Sequence, residues 1–248
     1  MLDLSDQEDM QKGWNARAAR DPFFYVETSH WNGDVDHFFE RGEQTARLLI
    51  DGLQQQYNIA SAVALDLGCG LGRFSRALAN RFTSVIAVDV SNQMIDSAKQ
   101  LHPWPKFKNI DFQVSDGVTL PIHDNTVDFA WSYEVLQHAP SSDIVQANVT
   151  EVGRVLRSNG LAMIHLKTGY QRPMLHTAIR FIPQWLITLM TRIIGQDPMM
   201  VDRTFRGPPP IARAQIETMF NKANLKLIKI LDDPTHPNGT RVFAIASK

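Results

Sequence analysis

ALDLGCGLGRF occupies residues 64–74. An apolar run that stops at three alternating glycines reads as a buried strand, VALDL (63–67), ending in a loop of bare backbone and followed by a helix from Leu71 to Asn80. Glycines in such a loop permit positive φ and let a ligand reach the main chain without a Cβ in the way. The same alternation continues outward. SVIAVDV (84–90), IDFQVSD (110–116), VDFAWSY (127–133) and LAMIHL (161–166) read as strands, and NQMIDSAKQL (92–101) and SDIVQANVTEVGRVL (142–156) as helices. Strands separated by helices of this length predict a parallel sheet with right-handed crossovers. After residue 210 come a helix at 211–223 and strands LKLIKIL (225–231) and RVFAIAS (241–247). The link DDPTHPNG is too short for a crossover helix, so these last two strands should pair antiparallel.

The spacing of the glycines narrows the ligand. A dinucleotide fingerprint wants G-x-G-x-x-G, but Gly68, Gly70 and Gly72 alternate and Arg73 stands where the third dinucleotide glycine would be. No G-x-x-x-x-G-K-[ST] is present either. Asp89 ends the second strand, about 20 residues past the loop, where a carboxylate accepts from the hydroxyls of a ribose. Asp116 and Gly117 end the third, at a place suited to the adenine amino group. Asp66, at the loop's entrance, suits an ammonium better than a pyrophosphate. A nucleoside carrying an amino acid is S-adenosylmethionine.

With LDLGCGLGRFS, VIAVDVS, FQVSDG, VDFAWSYEVLQH and LRSNGLAMIHL in this order, residues 62–168 resemble the class I S-adenosylmethionine-dependent methyltransferases of small-molecule type. The resemblance implies an α/β fold: a Rossmann-like, seven-stranded, mostly parallel sheet of order 3-2-1-4-5-7-6 with strand 7 antiparallel, a helical N-terminal cap and an insert after strand 5. It implies one methyltransferase domain over 1–248, divided into cap (1–58), cofactor-binding core (59–169), insert or lid (170–210) and C-terminal helix and hairpin (211–248). It further implies that Gly68 and Gly70 approach the methionine part and that Asp89 holds the ribose. Val90 and Met94 would flank the adenine, Asp116 and Gly117 meet its edge, and Ser132 line the methionyl end.

A general base is needed only for an acceptor that is a poor, proton-bearing nucleophile. His138, just past the fourth strand, is the best-placed candidate; in the family a histidine here often only packs beside the cofactor. Tyr133, Glu134 and Tyr170 are further candidates. His165, inside a strand, reads as a satisfied core imidazole, and His30, His37, His102, His123, His176 and His236 as mostly solvated. No histidine shows metal-ligand spacing, so no metal is expected. Cys69, the single cysteine, has no neighbour that would activate it, and it permits no internal disulfide, in keeping with a reducing cytosol.

Composition excludes other partners. With 25 basic and 26 acidic residues and a net charge of -1, nothing favours nucleic acid or an anionic membrane. The sequence SYEV replaces the Asn/Asp-Pro-Pro-aromatic motif of base-amine methylation, and there is no separate cysteine for attack on cytosine. The start, MLDLSDQEDM, lacks the features of a secretory signal, so a cytoplasmic protein is expected. FIPQWLITLMTRIIG (181–195) is too short to span a bilayer. On a helix it would align Gln184, Thr188 and Arg192 on one stripe, as a lid, a homodimer face or a membrane contact; the stripe is poor in the Lys and Arg that the last would need. Trp14, Phe23, Phe24, Tyr25 and Trp31 read as aromatic staples of the cap, with Trp14 or Tyr25 placed to touch the cofactor. The function expected is methyl transfer from S-adenosylmethionine to oxygen or nitrogen of a small, fairly apolar metabolite. The alternatives are a non-catalytic module binding S-adenosylmethionine or S-adenosylhomocysteine, a methyltransferase of a lipid-like substrate, and an NAD-dependent oxidoreductase.

Overall fold

The computed structural model describes residues 4–103, 105–169, 186, 191, 193, 195, 197–236 and 240–248. Helix α1 spans Leu4–Arg20. Asp21 accepts from the Phe24 N–H to start α2 (Pro22–Val26), and Asp34 accepts from the Asp36 and His37 N–H groups to start α3 (Val35–Ala46). Helix α3 runs through a π-turn at Arg47–Asp51 into α4 (Gly52–Tyr57). That turn decides which apolar residues of the segment face the core. The extra residue per turn rotates the helical phase, so Leu48 is 64% exposed while Ile50 is fully buried in the same core cluster as Leu53.

Seven strands form one sheet: β1 (Val63–Leu67), β2 (Ser84–Asp89), β3 (Ile110–Val114), β4 (Val127–Ser132), β5 (Leu156–Lys167), β6 (Lys226–Asp232) and β7 (Arg241–Ser247). Their order is β3-β2-β1-β4-β5-β7-β6, with β7 antiparallel to both β5 and β6. Helices α5 (Arg73–Ala79), α6 (Asn92–Leu101) and α7 (Ser142–Val155) lie between the parallel strands, and α8 (Arg203–Arg206) and α9 (Arg213–Lys222) precede β6. Strand β5 begins five residues before the expected Leu161, because Leu156 already pairs with Val127 and an irregularity then sets Leu161 opposite Phe129. Strand order reverses at β1, between β2 and β4, which opens a crevice at the carboxyl ends of these strands.

Both faces of the sheet are covered. Large side chains, Phe129, Trp131, Met163 and Phe243, meet Phe74 of α5 and Ile50 of the π-turn on one face. Small ones, Ala130, Ala162 and Ala244, let Val149 and Val152 of α7 and Phe220 of α9 approach on the other. The α7–α9 contact depends on Gly153, where an added Cβ would lie 2.0 Å from the Ala223 carbonyl oxygen. Gly153→Ala is expected to lower the unfolding free energy by about 1–3 kcal/mol, measured by urea denaturation, since backbone must move to admit the methyl. Tyr170, His176, Gln184, Thr188, Arg192 and most of 181–195 lie outside the described residues. No helix among the described residues is long and apolar enough to cross a membrane.

Candidate active site

The crevice is floored by the glycine loop that leaves β1. Gly68, Gly70 and Gly72 have φ of 75°, 51° and 77°, a conformation that side chains disfavour. This geometry turns the loop's N–H groups inward. Gly68 and Cys69 donate to the Val88 carbonyl at 2.8 and 2.9 Å, Gly72 to the Cys69 carbonyl at 2.8 Å, and Gly70 to the Asp89 carboxylate at 2.9 Å. These four donors are therefore used within the protein, and a pyrophosphate has none of them to bind.

Asp89 is the hinge of this arrangement. Its second oxygen accepts from the Ser91 N–H at 2.8 Å, and Ser91 in turn caps α6 by accepting from Met94 N–H at 3.1 Å. Each carboxylate oxygen keeps a lone pair for a further donor. Burial pushes the Asp89 pKa up, and the backbone donors at Ser91, Gly70 and Val90 work against that rise.

A cavity of about 400 Å³ extends from the loop. Gly68, Gly70, Asp89, Val90, Met94, Gly117 and His138 line it. Three expected contacts do not. Asp66 is buried behind the loop, where Ser75 Oγ donates to it at 2.6 Å and burial, reinforced by the charge of Asp89, lifts its pKa to about 7. Asp116 sits in an exposed turn with its carboxylate occupied by the Val118 N–H at 2.8 Å and the Thr119 N–H at 2.5 Å. Ser132 is fully buried at the end of β4, and its hydroxyl has no partner within the protein. Burial and the carboxylates of Asp89 and Asp66 push the Cys69 thiol well up, so it is no nucleophile.

The roof comes from the chain's first helix and from residues 197–206. Met10 of α1 stands over Gly117, where a Cβ would come within 2.2 Å of its methyl, and Gln11 donates to the Val90 carbonyl at 3.2 Å. Trp14 and Tyr25 also line the cavity. Arg17, fully buried, donates to Thr204 Oγ1 at 3.0 Å, to the Met199 carbonyl at 2.6 Å and to Asp202 at 2.5 Å. Arg20 pairs with Asp197 at 2.8 Å, and Tyr25 donates to the same carboxylate.

His138 lies between Trp14 and Phe205, with ring centroids 5.6 and 4.8 Å away. Its Nδ1–H donates to the Phe205 carbonyl, so Nε2 is the acceptor and takes the Gln137 amide N–H at 3.1 Å. Burial pushes its pKa down to about 4. Held neutral by burial down to about pH 4 and packed between two aromatic rings, it is a weak base, which argues against the catalytic role expected for it. The geometry makes it a strut between the turn after β4 and α8.

The far wall carries the charged groups. Glu27 accepts from Arg41 at 2.6 Å and Arg73 at 2.9 Å, while Tyr133, Glu134, Thr235, His236 and Arg241 form the side facing β5 and β7. His236 was read as solvated from its loop position; the available signal was Asp233 three residues earlier. His165 is the satisfied core imidazole expected, accepting from Glu134 N–H at 3.2 Å on Nδ1 and reaching Asp233 at 3.0 Å through Nε2. His165, Asp233 and His236 lie close enough to share a metal. Against that, a neutral His165 that accepts on Nδ1 must carry its proton on Nε2, the nitrogen a metal would need. The donor set of these three described residues therefore does not suit a metal.

A family model described as methyltransferase domain matches residues 65–164. The biotin biosynthesis bifunctional protein BioHC of Cellvibrio japonicus is 37% identical over 100 residues, which cover 40% of this chain and 18% of that protein. The ubiquinone biosynthesis O-methyltransferase of Coxiella burnetii is 35% identical over 88 residues, covering 36% of this chain and 37% of that one. The chain thus spans less than half the length of the curated relatives it matches. The solved magnesium protoporphyrin IX methyltransferase of Synechocystis PCC 6803, with bound S-adenosylmethionine, aligns at a TM-score of 0.63 and 15% identity over 100% of this chain and 98% of that one, which establishes likeness of fold. Residues 65–164 thus match a methyltransferase domain, and the sheet built around them has the strand order expected of the class I S-adenosylmethionine-dependent methyltransferase fold.

Proposed function

We propose that this protein binds S-adenosylmethionine in the crevice above the glycine loop and transfers its methyl group to oxygen or nitrogen of a small molecule. The observation that carries the reading is the hydrogen bonding of that loop. The N–H groups of Gly68, Cys69, Gly70 and Gly72 are spent within the protein, whereas Asp89 retains acceptor capacity at the edge where sugar hydroxyls would come. Gly68 and Gly70 would border the methionine part, Asp89 the ribose, and Val90, Met94 and Gly117 the adenine. Asp66 and Asp116 are given no contact, for the reasons above. Ser132, fully buried behind the cavity wall, is given no contact either.

When bound, the cofactor supplies a methyl group already activated by a sulfonium. The chain's own contribution is then orientation and exclusion of water. The roof of α1 and residues 197–206 excludes water from above. The acceptor side joins an aromatic surface, Trp14 and Phe205, to the polar wall of Glu27, Arg41, Arg73, Glu134, His236 and Arg241. An acceptor matching it has an apolar body and a polar end, and is less uniformly apolar than the fairly apolar metabolite expected from sequence. Titratable groups beyond the cofactor contacts support an enzyme over a binding module.

Titration calorimetry with S-adenosylhomocysteine and with NAD tests the first half of the proposal. Binding of the former and not the latter is expected; the reverse overturns it. Incubating the protein with methyl-labelled S-adenosylmethionine and a metabolite extract should transfer label to a small molecule, and unlabelled metabolites alongside a bound, unconsumed cofactor would instead favour the binding module.

A further inference from the structure

The link between β6 and β7 places an imidazole on the acceptor side of the cavity with its tautomer fixed from behind. Asp233 has a fully buried side chain. Its Oδ1 accepts from Thr235 N–H at 2.9 Å and Thr235 Oγ1 at 2.7 Å, and its Oδ2 faces His236 Nδ1 at 2.7 Å. Those donors are what a carboxylate needs. Burial alone would raise the Asp233 pKa, but hydrogen bonds from His165, Thr235 and His236 outweigh it and hold the group well below the usual carboxylate range. An ionised Oδ2 requires a proton on His236 Nδ1, which leaves Nε2 with the lone pair.

His236 lines the cavity, and Nε2 is the nitrogen turned away from Asp233. Arg241 donates to Nε2 at 2.8 Å, and Glu134 lies 3.5 Å from it and also accepts from Arg241. Glu134 holds this place with a φ of 59°, unusual for a residue with a side chain, and its N–H is committed to His165. Such strain tends to gather where a site over-determines the backbone. Tyr133 Oη, 2.8 Å from Thr235 Oγ1, completes the wall. His236, Glu134, Arg241, Thr235 and Tyr133 all line the cavity.

We infer that His236, oriented by Asp233, is the base that takes the proton of the acceptor, and that the acceptor atom is the oxygen of a hydroxyl group. The inference rests on the proposed function and sharpens it. A neutral amine attacks with its own lone pair, and a thiol ionises readily, but a hydroxyl needs its proton removed as the new bond forms. The acceptor displaces Arg241 from Nε2. Its O–H bond breaks with the proton passing to Nε2 while the O–CH3 bond forms and the S–CH3 bond breaks, the electron pair staying on sulfur. Asp233 and Glu134 stabilise the imidazolium, Arg241 opposes its charge, and the ring, 31% exposed, returns the proton to water. Asp233 is a positioning residue in this scheme and His236 a catalytic one.

Two measurements on the full chain test it. With S-adenosylhomocysteine present, nitrogen NMR of 15N-histidine-labelled protein should show His236 protonated at Nδ1 and bare at Nε2 at pH 8, and Asp233→Asn should release that tautomer. A proton on Nε2 in the wild type overturns the inference. The second measurement is methyl transfer to phenol, protonated at the assay pH, and to pentafluorophenol, which is ionised. His236→Gln should lose about 100-fold or more on phenol, and at least ten-fold more there than on pentafluorophenol. Equal losses on both, or turnover of benzylamine but of neither phenol by the wild type, overturn it. Failure of the wild type to bind S-adenosylhomocysteine is a separate result, and it strikes the proposed function.

Discussion

Asp89→Ala lowers the affinity for S-adenosylhomocysteine about a thousand-fold, or about 4 kcal/mol, in titration calorimetry. The carboxylate does two things at once. It ties the Gly70 N–H to the Ser91 N–H across the crevice, and it presents its remaining lone pairs to the cavity. Alanine leaves both amides unpaired, frees the loop to leave its positive-φ conformation and removes the acceptor for the sugar. Two charge-assisted hydrogen bonds at about 1.5–3 kcal/mol each set the scale. Asp89→Asn retains an oxygen for one amide and should lose far less, about ten-fold. Affinity within three-fold of wild type in the alanine variant would mean that the ligand does not lean on this strand end, and the proposed function would go with it.

Asp66→Asn changes how stability depends on pH, by about 4 kcal/mol between pH 4 and pH 8. Burial raises the Asp66 pKa from 3.8 to about 7 in the folded protein. The unfolded chain ionises this carboxyl near pH 4 while the folded one holds its proton to about pH 7. Its contribution is therefore intact below pH 4 and is lost as pH rises towards 7 and beyond. A gap of about three pH units at about 1.4 kcal/mol each gives the figure. Asparagine stays neutral throughout and can still accept from Ser75. Because Asp89 and Asp233 also titrate, the quantity to plot is the difference in unfolding free energy between variant and wild type, from urea denaturation across that range. It should move in favour of the variant as pH rises; a flat line would show that Asp66 is ionised in the folded protein.

The parts of this protein readable from its sequence are those whose signal is local. The run VALDL followed by alternating glycines announces strand, loop and helix within a dozen residues, and the structure has β1 at Val63–Leu67 as read. The strand order comes from the resemblance of residues 62–168 to a known family; the residues alone predict a parallel sheet and an antiparallel last pair. What escaped depends on distant pairing. Nothing near Leu156 reveals that Val127 draws it into β5, and nothing near Leu48 reveals the π-turn that expels it. His138 looked like a base because it follows β4; its nitrogens are taken by Gln137 and by Phe205, the latter 67 residues away. His236 looked solvated because Glu134 and Arg241, which surround it, come from other strands.

The roof over the cavity has one more implication. Its members, Met10, Trp14 and Tyr25 on one side of the chain and Met200 and Phe205 on the other, flank the segment 65–164 that ties this protein to its relatives, as do His236 and Arg241. On the proposed function, the shared stretch would supply the handle for the donor, while most of the mould for its customer would be written in the two unmatched ends. Kinship detected through the middle of such a chain transmits the reagent and leaves each descendant free to select its own target.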